Sequence, residues 1–281
     1  MAREYYRYDP SLPAAVIFTV LFILSAAVHT FQLVKSKTWY FVPFLVGCLF
    51  EAIGYIGRAI GAVQAPDWTR PPFIAQILLL LLGPTFFAAS IYMILGRLIQ
   101  LLNADKHSLI RPSRLTKFFL IGDVTSIAAQ GLGGGKLANA ETPDERDQAQ
   151  TIIIVGLAIQ IVFFSLFMAV TCVFHYRINK KPTAKSSSIN SPWERLLLVL
   201  YASSLLILVR SIFRVVEYVT GHDGEIQSKE VYIYIFDALL MAIVAVIFNI
   251  FHPSEVLSIP GRHRPNNSDS ETPLGAYGNR P

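Results

Sequence analysis

The segment from Leu49 to Val63, LFEAIGYIGRAIGAV, sets a glutamate and an arginine seven residues apart inside a run of Phe, Leu, Ile, Val, Ala and Gly. Glu51, Tyr55 and Arg58 follow i, i+4, i+7 spacing, which puts all three on one helix face. VRSIFRVVEYV repeats the device with Arg210, Arg214 and Glu217. Asp123, Gln130 and Asp237 add polar groups to other apolar runs. An ionised side chain at bilayer depth costs at least about 2.5–3.5 kcal/mol, so it persists only when paired, hydrated or functional. Glu51, Asp123, Glu217 and Asp237 balance Arg58, Arg97, Arg210 and Arg214 in sign. Two arginines one turn apart repel unless acids or an anion lie between them, and an anionic head group suits the guanidinium fork. One reading is a ligand site or pathway. The other is an ion-pair network that fixes helix register. Arg97, near a span end, reads as snorkelling to the interface.

The elements that must position these groups are membrane helices. The chain has 281 residues, 53% hydrophobic and 15% charged, with mean hydropathy +0.47, outside the range of soluble domains. A span needs about 20 mostly apolar residues, and seven runs qualify, at 12–34, 39–62, 72–102, 115–137, 150–178, 194–220 and 229–252. The first, third and fifth loops and the C-terminal tail hold thirteen basic residues against six on the other side. The fold expected is an all-α seven-transmembrane helix bundle with the N-terminus outside and the C-terminus cytosolic. At about 1.5 Å per residue from the cytosolic ends, Glu51 lies roughly 18 Å up, Gln130 22 Å, Arg210 24 Å and Arg58 28 Å. Asp237, entering from outside, falls at a similar level, which predicts one polar cluster in the outer half of the bilayer.

The organisation expected is an extracellular N-terminus at 1–11, a transmembrane domain at 12–252 and a disordered cytosolic tail at 253–281, rich in Pro, Ser, Asn and Gly. The first apolar run reads as a retained helix because no basic start and small-residue cleavage site frame it. ANAETPDERDQAQ and NKKPTAKSSSINSP read as solvated connectors. A cytosolic tail places the Asn266-Asn267-Ser268 triplet away from the glycosylation machinery. Pro84 should kink the third span, and Gly54, Gly57 and Gly61 form a small face for close helix approach. No inverted repeat is visible. Cys48 and Cys172 read as packing residues. Trp39, Trp68 and Trp193 lie near span ends, as in an interfacial belt.

YRYDPS, EAIGYIGR, GDVTSIAAQGLGGG, VRSIFRVVEYVTGHDG, YIYIFDALLM and FHPSE, in order from about Tyr5 to Glu255, resemble the fungal lipid-translocating exporter family, also called the aminocholesterol-resistance family. The resemblance implies a seven-helix protein of the fungal plasma membrane, without enzymatic activity or cofactor. It also implies release of sphingoid long-chain bases and resistance to toxic sterols and azoles, and in one branch porphyrin or haem movement. Glu51, Tyr55, Arg58, Asp123, Gln130, Arg210, Arg214, Glu217 and Asp237 carry over as substrate-binding candidates. Partners are then a membrane lipid (sphingoid base, sterol or phospholipid) and the bilayer, with a homo-oligomer open. No G-x-x-x-x-G-K-[ST] loop is present, so an ATP-driven pump is not encoded in this chain. In this reading Glu51, Glu217 and Asp237 bind an ammonium head group while the arginines hold the acids.

Rival classes leave specific marks. A receptor-like lipid sensor shares the topology, but LGRLIQLL stands where a D-R-Y-type triplet would. A retinal protein needs an interior lysine in the last span, and Lys229 sits only at its edge. His29, His175 and His252 come from three spans near the cytosolic ends, so a metal or haem site, as in porphyrin transport or a zinc-dependent lipid hydrolase, is geometrically conceivable. No span carries an H-x-x-x-H pair, which weighs against it. The +5 net charge follows the loops and forms no basic patch with exposed aromatics, which excludes a nucleic-acid partner.

Overall fold

The computed structural model describes residues 6, 8–189, 192–220 and 229–257. Among these the structure is helical, with no strand. Helix α1 spans Leu12–Ser36, α2 Val42–Val63, α3 Arg70–Leu101, α4 Pro112–Asn139, α5 Pro143–Lys180, the short α6 Ala184–Ser188 and α7 Trp193–Val219. Helix α8 runs from Glu230–Ile233 through a π-helical turn, Tyr234–Leu239, into Leu240–Ile250, and a last turn, α9, covers Ser254–Leu257. Proline occupies the first or second position of each of α1 to α5, where its missing N–H loses nothing. Ser11 caps α1 by accepting from the Ala14 amide.

Six of these helices are long and apolar enough to cross a membrane. The remaining long one, α4, has 28 residues but dilutes its apolar face with Lys117, Asp123, Lys136 and five glycines. Around the bundle α1 packs on α2, α2 on α3, α3 on α4, α4 on α5, α5 on α7, α7 on α8 and α8 back on α1, while α3 also touches α7. The outside is apolar: Ile17, Phe31, Val63, Ile121, Val162 and Leu198 are all more than 60% exposed. In a water-soluble fold such a surface marks an interaction site; here it fits lipid chains. The inside carries the charges.

Three expectations about element limits change. ANAETPDERDQAQ is no plain connector: Thr142 and Glu145 form a capping box, so α5 begins seven residues before the apolar run, at Pro143. NKKPTAKSSSINSP contains the Thr183-capped turn of α6. The tail assigned from Pro253 opens with α9, whose Val256 is buried. Residues 258–281, with the Asn266 triplet, lie outside the described residues, as do 1–5 and 7.

The glycine face on α2 works as expected. A Cβ at Gly57 would sit 2.8 Å from the Pro72 carbonyl oxygen, and one at Gly54 2.5 Å from the Leu80 side chain, so the α2–α3 contact depends on bare backbone.

Candidate functional site

The proline in α3 builds the site. Pro84 has no N–H, so the carbonyl of Leu80, four residues earlier, has no helical donor. Arg210 of α7 takes it: Nη2 donates to Leu80 O at 2.5 Å while Nε donates to Asp237 Oδ1 at 2.5 Å. Arg214, one turn on, donates from Nη2 to Asp237 Oδ2 and from Nη1 to Glu217 Oε2 at 2.8 Å. One carboxylate therefore separates the two guanidinium groups. Arg210 and Asp237 are fully buried. Asp237 lies in the π-helical turn of α8, the kind of local irregularity that re-aims a side chain at a functional site.

Glu51 of α2 joins this group without bonding to it. Arg210, Arg214 and Asp237 lie within its electrostatic reach, yet neither of its oxygens makes a hydrogen bond and its exposure is 0%. Its carboxylate lies against Gly83 of α3: a Cβ there would be 2.6 Å from Glu51 Oε1. Tyr55, one turn further along α2, is equally buried with its hydroxyl unpartnered, and its ring stacks on Phe22 and Tyr234.

Arg58 serves a different group at the end of the bundle where α1 and α8 begin. Its guanidinium donates to Tyr234 Oη at 3.1 Å, Tyr8 Oη at 2.8 Å and Glu230 Oε1 at 2.8 Å. Glu230 also accepts the Ser11 amide on both oxygens, at 2.9 and 3.0 Å. The pre-helical strand is fastened further by Tyr6, which donates to Gln76 Oε1 at 2.7 Å and packs against Trp68 and Phe73. Burial pushes the Tyr6 hydroxyl up to about 12, so it remains a donor. Sequence reasoning missed Glu230, Tyr8 and Tyr6. Glu230, Tyr234 and Asp237 follow the same i, i+4, i+7 spacing as Glu51, Tyr55 and Arg58, a signal that could have found the first.

The single polar cluster expected from depth is therefore divided. Gln130 of α4 donates to Ser126 Oγ at 2.6 Å and Gln160 Oε1 at 3.1 Å, and Gln160 of α5 donates to Thr85 of α3 at 3.3 Å. This amide network sits on the other flank of α3 from the arginines, because α4 packs on α3 and α5. Asp123 is alone among aromatics: Tyr92 donates to it at 3.5 Å and its second oxygen is unpartnered. Equal depth did not mean adjacency. Arg97 is exposed and lies over the Tyr40 ring at 4.2 Å.

The histidines do not assemble. His29 and His252 flank Phe41 at 5.5 and 5.2 Å between ring centres, whereas His175 of α5 faces Tyr201 of α7 at 5.8 Å. His29 Nε2 contacts the Ala245 carbonyl, and His252 Nδ1 the Ser254 hydroxyl. Among the described residues no three His, Cys, Asp or Glu side chains form a cluster that could hold a metal ion. Cys48 is buried, Cys172 is exposed, and both are free. A cavity of about 670 Å³ opens between the ends of α4 and α5, beside Gly131, Gly135, Lys136 and Glu145, away from the charged groups.

The model of a family described as RTA1 like protein matches residues 44–259, the stretch that contains Glu51, Pro84, Arg210, Arg214 and Asp237. The chain belongs to the RTA1-like family. These are the fungal lipid-translocating exporters that its motifs resemble. It is similar to Protein RTA1 of Saccharomyces cerevisiae, 38% identical over 89% of this chain and 85% of that one. Protoporphyrin uptake protein 1 of Saccharomyces cerevisiae is 33% identical over 87% of this chain and 90% of its own length. Sphingoid long-chain base transporter RSB1 of the same species is 28% identical over 87% and 72%. No solved structure matches the chain.

In this RTA1-like chain the bonded set of Arg210, Arg214, Asp237 and Glu217 carries two charges of each sign, and Glu51 stands outside it. The chemistry on offer is a buried carboxylate with free lone pairs, placed where α3 is interrupted.

Proposed function

We propose that this chain binds an amphipathic lipid with a cationic head group, such as a sphingoid long-chain base, and carries it across the fungal plasma membrane without chemical turnover. In this reading α4 is the seventh crossing, the N-terminus is outside, and export confers resistance to toxic lipids or drugs. At about 1.5 Å per residue the 28 residues of α4 are long enough. The observation that carries the proposal is Glu51: a fully buried carboxylate whose oxygens are unbonded, beside arginines already engaged by other acids. The ammonium goes to Glu51 alone, because Asp237 and Glu217 are held by the arginines. The hydrocarbon chain stays in the bilayer between helices. The name of the long-chain base transporter among the relatives supports this substrate class.

The test is growth of yeast lacking its own long-chain base exporter on medium with added sphinganine. The wild-type chain restores growth, and Glu51→Gln abolishes rescue at unchanged surface expression, whereas Asp123→Asn keeps it. Rescue by Glu51→Gln would refute the proposal. A second reading, a carboxylated amphiphile such as a porphyrin, is favoured by the unpartnered Arg210 Nη1 and Arg214 Nε and by the protoporphyrin relative. Uptake of protoporphyrin by the same cells separates the two.

A further inference from the structure

We infer that Glu51 exchanges a proton for the substrate's ammonium, so that the chain is a proton-coupled antiporter. The inference rests on the carrier reading above and adds its energy source. A carboxylate buried to 0% exposure, with no bonded donor on either oxygen, is too costly to leave bare at bilayer depth. Three states avoid that cost: a proton on the carboxylate, a cation against it, or an arginine turned toward it. The arginines are committed, Arg210 to Asp237 and the Leu80 carbonyl, Arg214 to Asp237 and Glu217. Proton and ammonium remain, and they compete for one site.

The charged groups within reach of Glu51 are Arg210 and Arg214 from α7 and Asp237 from α8. Tyr55 and Cys48 titrate on its own helix, and α3 presents the backbone of Gly83. Asp237 is fixed between two guanidinium groups, so it does not take the exchanged proton. Contact with Gly83, one residue before the proline, joins occupancy of Glu51 to the position of the interrupted helix.

The cycle balances. A base ammonium from the cytosolic leaflet pairs with the Glu51 carboxylate. On the outer side a proton adds to a carboxylate oxygen, the ion pair breaks and the ammonium leaves. The neutral acid re-exposes inward and loses its proton to the cytosol. One positive charge leaves and one proton enters, so the step is electroneutral.

The test uses full-length protein in phosphatidylcholine vesicles with a trapped pH dye, and N,N,N-trimethylsphinganine as probe, because its fixed charge prevents it from carrying a proton itself. With the interior about two pH units more acidic, one-for-one exchange predicts ~100-fold inward accumulation of probe, with a matching rise in internal pH. Glu51→Gln should lose both signals, and Glu51→Asp should retain the proton counterflow at a reduced rate. Because the wild-type result alone decides, a misfolded variant does not blur it. Probe crossing with no internal pH change, and no more accumulation than at equal pH, overturns exchange and leaves the carrier intact. No crossing overturns both.

Discussion

Asp237→Asn is the sharpest perturbation of the buried network. The wild-type carboxylate puts one oxygen on Arg210 and the other on Arg214. The amide keeps the volume and one acceptor but removes the charge, leaving two guanidinium groups one turn apart with Glu217 as their bonded acid. Removing one partner from a buried ion pair costs about 3–5 kcal/mol. At ~2–4 °C per kcal/mol the thermal midpoint in detergent should fall by on the order of 10 °C, read by fluorescence-detected size exclusion after heating. Glu51 gives the experiment its second arm. In Asp237→Asn it is the nearest uncommitted carboxylate, and pairing with an arginine limits the loss. Asp237→Asn combined with Glu51→Gln should therefore be less stable than the sum of the singles, although Glu51→Gln alone leaves the midpoint unchanged or higher. A midpoint for Asp237→Asn equal to wild type would show that the carboxylate does not hold the two arginines. Additivity would show that Glu51 does not share their field.

Pro84→Ala restores a donor for the Leu80 carbonyl and evicts Arg210 Nη2, so expression and helicity should hold while rescue of growth on sphinganine falls. Gly57→Leu drives a side chain into the Pro72 carbonyl, 2.8 Å from the Cβ position, and should cost at least ~1–3 kcal/mol, seen as lost monodispersity. Gly131→Ala, with nothing within 4 Å, should be neutral or stabilising by roughly 0.5–1 kcal/mol in the same assay. Glu230→Gln removes a charge-assisted bond worth about 1.5–3 kcal/mol and loosens the Ser11 amide. Faster hydrogen exchange at residues 8–15, with no change around Arg210, is the expected signature.

The spans were legible because lipid leaves backbone groups nothing to bond to outside the helix, so the code for a crossing is local in the chain. Helix ends were less so. At α5 the Thr142 capping box extended a helix past its apolar run, and a hydropathy reading does not register caps. Facing was also legible: Glu51, Tyr55, Arg58, Arg210, Arg214, Glu217 and Asp237 are all inside the bundle, because a charge on the lipid side would not be tolerated. Pairing was not. The sign balance counted over the sequence set Arg58 and Arg97 against acids that neither touches; Arg58 chose Glu230, and Arg97 turned out to Tyr40.

Periodicity and depth are properties of one helix at a time, and the sequence by itself determined those: which runs cross, which faces look inward, and that a proline breaks the third. Which helices are neighbours depends on how side chains and glycines fit at each contact, which no single segment carries. Tertiary packing put α3 between the arginines and the Gln130 network, brought the Leu80 carbonyl freed by Pro84 to Arg210, and closed Asp237 between two guanidinium groups. Glu51 was left as the buried acid with open lone pairs because its arginine neighbours were already bonded elsewhere.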